Sequence, residues 1–237
     1  MGKNPWDDGY GSGKSEYERY LRTTELFALQ KDRSKRSHPD ELMFQVIHQV
    51  EELWMKIVVH QLGEAVRHLD MDQPCLACGA LARANQLIQM CEQQLRLFET
   101  MQPAAYLTIR KGLGTGSGLD SPGFVRINEI APDVGKRFHA CLERSGNDLV
   151  ALYATPETTH PDLLAVAEAL TSFDAQFQRF KREHIMTVKR IIGIGTASLR
   201  GNPMEMLERS AQKTFFPMLW AVRERLFADF RAGDLKV

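Results

Sequence analysis

The feature that most constrains this chain is the uninterrupted run from Asp40 to Asp70, which contains no proline. Turned at about 100° per residue, Met43, Val46, Ile47, Val50, Trp54, Ile57 and Val58 share one face. Phe44, Met55, Val59 and Leu62 widen it, leaving a narrow polar strip of Gln45, Gln49, Glu52, Lys56 and His60. A long helix with so thin a wet strip needs other long helices to cover it. The run predicts a central, mostly buried helix.

The rest of the chain agrees, for strand signals are scarce. Apolar periodicity predicts a short helix within Glu16–Gln30, then a charged loop whose Pro39 opens the central helix. A second long helix is expected from about Ala80 to Thr100 and a shorter one through Tyr106 to Leu113. A Gly-rich stretch follows, Gly112 to Gly123, without the strand or the GK[ST] of a phosphate loop. Further helices are expected over Arg126–Glu129, Val134–Arg144, Asn147–Tyr153, Leu163–Ile194 and Met204–Ala232. The fold class is all-α, a bundle of long helices. It forms one domain over residues 16–237, after a polar, Gly-rich tail at residues 1–15 that reads as flexible.

Charge and composition narrow the partners. Thirty basic side chains balance thirty acidic ones, so there is no cationic surplus to displace counterions from nucleic acid. No apolar run approaches the roughly 20 residues that cross a bilayer, and no signal core precedes Ser15. A cytoplasmic protein without nucleic-acid or membrane partners is expected. Of the four cysteines, Cys75 and Cys78 form a CxxC. No second pair completes a zinc site, Gly79 stands where c-type haem attachment needs His, and βαβ surroundings are lacking. The pair reads as ordinary thiols near a helix start.

Two histidines, His48 and His184, lie on otherwise apolar helical faces. Such a residue is either a core imidazole satisfied by a backbone carbonyl or a metal ligand. Of the seven histidines only His160 has a Glu three positions before it, Glu157, so the paired ExxH of di-iron bundles is absent, and no HExxH is present. A single axial imidazole suits haem, which needs one protein bond on its proximal side. Periodicity stops at a helical bundle with these two alternatives open.

Four segments, in order, resemble the tryptophan 2,3-dioxygenase superfamily of haem-dependent aromatic oxygenases. Tyr17, Tyr20 and Leu21 resemble its YxxYL. DELMFQVIHQVEELWMK, Asp40 to Lys56, is similar to hDExLFIxxHQxxELWxK and is the most specific match. LARANQLIQMCEQQLRLFETMQPAAY and SGLDSPGFVRINE look like LxRxNxI…VLxTMTPxxF and SGFQSxQxRxxE. REHIMTVKRIIG and FFPMLWAVRERL resemble RHxxxVxRxIG and FPxLWxxRxxL.

The resemblance implies haem b, held non-covalently with His184 as axial ligand, and O2 as co-substrate. His48 would be the distal catalytic residue beside the substrate's ring nitrogen. Phe44 would pack on the substrate's aromatic face and Arg126 would pair with its carboxylate. It implies oxidation of the indole ring of tryptophan or a close analogue, to an N-formylkynurenine-type product. It also implies a homotetramer in which Tyr17 and Tyr20 complete a neighbour's site. The residue chemistry is compatible: His184 shares a face with Phe173, Phe177 and Phe180, an apolar wall suited to a porphyrin. Arginine's planar fork matches a carboxylate. The family's Gly-Thr-Gly-Gly loop is absent, and Ser198 falls where its substrate-contacting threonine stands. Phe180 replaces a Trp, Glu183 an Arg, and the turn with Pro122 and Gly123 is one residue longer. A sibling enzyme inserting one oxygen atom into a tryptophan or tyrosine derivative is the alternative, though Val188 excludes the covalent haem link of one such group. A haem-binding module without catalysis is a further one.

Overall fold

The computed structural model describes residues 13–114, 116, 118–154, 160–194 and 204–233. Among these residues there are ten α-helices and no strand, so the all-α class is borne out. Nearly all of the tail expected at residues 1–15 lies outside the described residues.

The short first helix is in fact two, α1 (Glu16–Leu21) and α2 (Thr23–Phe27), broken at Arg22, whose φ of 54° is left-handed. Then comes α3 (Glu41–Asp70), with Pro39 in the turn ahead of it rather than in its first turn. After it, α4 (Pro74–Gln94) begins earlier than periodicity suggested, because Pro74 fits the first helical position, where no N–H is needed. A 3-10 turn, Leu95–Thr100, leads to α5 (Pro103–Arg110). The pieces expected on either side of Pro132 form one helix, α6 (Pro122–Arg144). An interior proline costs a helix about 3 kcal/mol. Ile127, Ala131, Val134, Phe138 and Leu142 bury a stripe that runs past it, at roughly 1.5–3 kcal/mol per large side chain. Burial outweighs the break.

Two helices follow, α7 (Leu149–Ala154) and α8 (Pro161–Ile192). The expected last helix is again two, α9 (Met204–Gln212) and α10 (Pro217–Ala232). The corner between them is fixed by two buried charges on α8. Asp174 accepts from the N–H groups of Phe215 (3.1 Å) and Phe216 (3.2 Å) and from the Trp220 indole (3.0 Å), at the start of α10. Lys181 donates to the carbonyls of Ser210 (2.8 Å) and Lys213 (3.1 Å), at the end of α9. Each charge thus faces the helix end of opposite partial charge.

The main core cluster reaches from Ile47 to Leu219, and Ile185 and Ala211 form a small second one. In it α3 lies between α4 and α6, and α4 packs in turn on α8. The inward stripe of α3 is Ile47, Glu51, Met55, Val58, Leu62, Ala65 and Leu69. The expectation that α3 is mostly buried is corrected: Leu42, Val46, Leu53 and Ile57 are exposed on its outer side. Periodicity finds apolar residues, and this chain folded alone covers only one of the two apolar sides.

Candidate active site

Phe44 and His48 stand one turn apart near the start of α3, with ring centroids 4.3 Å apart. The 3-10 turn after α4 brings Phe98 to 5.8 Å from Phe44 and 5.3 Å from His48, and α5 brings Tyr106 to 6.2 Å from Phe44. His48 Nδ1 lies 2.7 Å from the Phe44 carbonyl oxygen. A carbonyl only accepts, so Nδ1 carries the proton and Nε2 is left with a bare lone pair. Burial holds the His48 pKa below the ordinary histidine value, against the opposing pull of the Phe44 carbonyl and Glu52. The side chain nonetheless keeps an exposed edge. A ring crowded by protein yet reached by solvent lies at the mouth of a recess.

His184, on α8, lies close enough to His48 for the two imidazoles to act on each other. Burial first, and the proximity of His48 second, push its pKa down to about 4. It is therefore a neutral imidazole at physiological pH, the form that ligates metals. Its Nε2 is covered by the turn at Gly118, where an added Cβ would stand 3.6 Å away. Among the described residues no group of three or more His, Cys, Asp or Glu could hold a metal ion. What these residues offer is two imidazoles of lowered pKa, with aromatic rings beside His48. That donor set fits haem, which takes a single axial nitrogen and otherwise needs apolar surroundings.

The Gly118 turn is tied to α3 through Glu52, one helical turn after His48. Glu52 accepts from the Gly123 N–H at 2.9 Å, while Ser121 Oγ caps α6 through the Phe124 N–H at 3.1 Å. A Cβ on Gly123 would stand 2.6 Å from Met55 Cβ and 2.8 Å from Glu52 Oε2. Only glycine lets α6 start so close to α3. On the other side Gln49 and Gln45 accept from Gln30 Nε2 (2.7 Å) and Lys31 N–H (3.0 Å), while buried Glu41 binds Lys31 and the Ser37 N–H. The polar strip of α3 thus fastens the loop after α2 and the cap of α6 around His48.

Several other expected residues are either largely exposed or fully buried. Arg126 is on the outer side of α6, paired at 2.8 Å with Glu129, both largely exposed. It lines a charged cleft of about 210 Å³ with Gly63 and Val66. Arg126 also stands one turn after Gly123, whose N–H reaches Glu52, the residue one turn after His48. Phe173 and Phe177 are fully buried, packed on Phe215 and, for Phe177, on Phe124 at 5.5 Å. They are core rather than the expected porphyrin wall, since a helical face shows which residues go together but not what lies opposite. Tyr17 and Tyr20 are 71% and 88% exposed on α1, which buries none of its residues. Ser198 lies outside the described residues. Sequence reasoning passed over Phe98, Tyr106 and the half-buried Arg110, one turn after Tyr106. Their TMQPAAY segment was matched as a motif, but only the fold sets it against Phe44.

The family model for tryptophan 2,3-dioxygenase matches residues 3–138. A tryptophan 2,3-dioxygenase of Xanthomonas campestris pv. campestris is 27% identical, the match covering 92% of this chain and 90% of the relative. One from Xanthomonas oryzae pv. oryzae is also 27% identical with the same coverage, and one from Myxococcus xanthus is 26% identical over 91% of each chain. With its family model matched over more than half its length and its all-α fold arranged around His48, the chain belongs to the tryptophan 2,3-dioxygenase family.

Proposed function

We propose that the protein is a haem-dependent oxygenase that uses O2 to oxidise the indole ring of tryptophan or a close analogue. The observation that carries this reading is the pairing of two neutral imidazoles, one with its lone pair at Nε2 beside an aromatic cluster. An indole N–H is a donor without a lone pair to offer, so it matches His48 Nε2 and would be mismatched with a protonated imidazole. Phe44 would stack on the indole ring while His48 accepts its N–H, as their 4.3 Å spacing allows. His184 would hold the haem, which supplies the iron that activates O2. The Gly118 turn and Phe98 would limit water entry.

Arg126 would pair with the substrate's carboxylate, and Arg110 is a second candidate for that role. It stands one turn after Tyr106, hence on the same side of α5, and Tyr106 borders Phe44. Its planar fork suits a carboxylate bidentately. The exposed α3 residues Leu42, Val46, Leu53 and Ile57, together with Tyr17 and Tyr20, support a homo-oligomer, with a tetramer expected from the family. Among the described residues no helix is long and apolar enough to cross a membrane.

The test is haem reconstitution followed by turnover of tryptophan under O2, read by product mass. A gain of two oxygen atoms supports the reading, and a gain of one moves the protein to a hydroxylating activity. Haem uptake without any product from tryptophan or its ring-substituted analogues refutes it. His184→Ala should fold but lose its haem, and the KM values of Arg126→Ala and Arg110→Ala decide which guanidinium holds the carboxylate.

A further inference from the structure

The CxxC pair plays no part in that site. Both thiols lie at the beginning of α4, behind Pro74 at the first helical position. Cys75 is exposed and Cys78 is half-buried, whereas Cys91 and Cys141 are buried. Residues three apart on a helix share a face, with Cβ atoms about 5–6 Å apart. A disulfide needs about 3.5–4.5 Å. The gap is closed with least disturbance in a first turn, where the backbone is only partly tied. Here the Leu76 and Ala77 N–H groups both reach back to the single carbonyl of Gln73, at 3.1 Å.

Two neighbours give the thiols unequal roles. Cys78 Sγ is turned toward α8 and lies 3.7 Å from the Ala165 carbonyl oxygen. Burial, and Cys75 nearby, push its pKa up, so it is the poorer first nucleophile. Cys75, Gly79 and Arg83 follow at four-residue intervals on one ridge of α4. Gly79 leaves that ridge bare, and Arg83 Nη1 lies 3.9 Å from where a Gly79 Cβ would stand. A 2.8 Å bond from Arg83 Nε to Gln61 Oε1 holds the guanidinium there. Side chains lean toward the helix N-terminus, so this cation faces the thiol pair along the ridge.

We infer that Cys75 and Cys78 are a redox-active dithiol that exchanges with small anionic disulfides of the glutathione class. Cys75 loses its proton and attacks one sulfur of RS–SR, forming Cys75–S–SR and releasing RS⁻, which takes up that proton. Cys78 then loses its proton and attacks Cys75 Sγ, displacing the second RS⁻, which is protonated in turn. The protein dithiol is oxidised by two electrons to a disulfide and RS–SR is reduced to two RSH. Arg83 attracts the carboxylates of the incoming disulfide, and closure draws Cys78 Sγ away from Ala165.

The experiment incubates the full chain with graded ratios of glutathione to glutathione disulfide, quenches in acid and maps peptides by mass. The expected result is a Cys75–Cys78 peptide lighter by two hydrogens, with Cys91 and Cys141 unchanged. Cys78→Ser should accumulate a glutathione adduct on Cys75, and Cys75→Ser should take up glutathione far more slowly. Arg83→Gln should slow the first step at low salt more than at high salt. A wild-type chain that stays reduced in glutathione disulfide alone overturns the inference. So does one that stops at the adduct, or a Cys75→Ser variant that reacts as fast as Cys78→Ser.

Discussion

Glu51 is the least expected residue of the inward stripe of α3, a carboxyl group only 8% exposed amid apolar core. Burial, together with the charge of Glu52, pushes its pKa up from 4.5 to about 7, while Gln94 acts the other way. Its Oε1 has no hydrogen-bond partner among the described residues. The folded state therefore holds a proton that the unfolded chain releases near pH 4.5. Stability is greatest below that value, falls as pH rises from 4.5 to about 7, and is level above. A shift of 7 − 4.5 = 2.5 units, at 1.36 kcal/mol each, amounts to about 3 kcal/mol. Glutamine keeps the shape of the protonated acid and cannot ionise. Glu51→Gln should therefore be more stable than the wild type by about 3 kcal/mol near pH 8 and nearly equal to it near pH 4.5. For a chain of this size that raises Tm by roughly 6–12 °C at the higher pH. Urea unfolding of the haem-free chain at both pH values measures it. A variant no more stable than wild type near pH 8, or shifted equally at both, would refute the reasoning.

Three other outcomes follow from contacts described above. Gly123→Ala should destabilise by about 1–3 kcal/mol, through overpacking against Met55 and loss of the Glu52 bond, read by urea midpoint. Asp174→Ala should cost about 3–5 kcal/mol, because it strands the donors at the start of α10, with loss of Trp220 anisotropy at intermediate urea as the readout. Because the depressed pKa of His48 keeps Nε2 an acceptor, kcat/KM should stay level as pH falls through the ordinary histidine range and drop only below it; a midpoint at or above 6.5 would contradict the assignment.

Long-range partners account for most of what the sequence left unread. The ends of α3 were legible because an unbroken apolar period runs between Asp40 and Asp70. The continuity of α6 was not, since local rules give Pro132 a cost while the compensating burial of Val134 and Phe138 is tertiary. His48 and His184 stood out as imidazoles on apolar faces, and each does sit where burial keeps it neutral. Arg126 was chosen by its place in a motif, and only the fold shows its guanidinium paired with Glu129. Glu52 looked like part of a wetted strip. Its work at the start of α6 depends on Gly123, seventy-one residues later, a pairing that no local pattern encodes.

The clamp of Asp174 and Lys181 bears on how such a protein diverges. Both anchors of the α9–α10 corner lie on the helix that carries His184, so that corner is held by α8 independently of the composition of residues 195–203. A library confined to residues 195–203 would therefore leave both anchors in place.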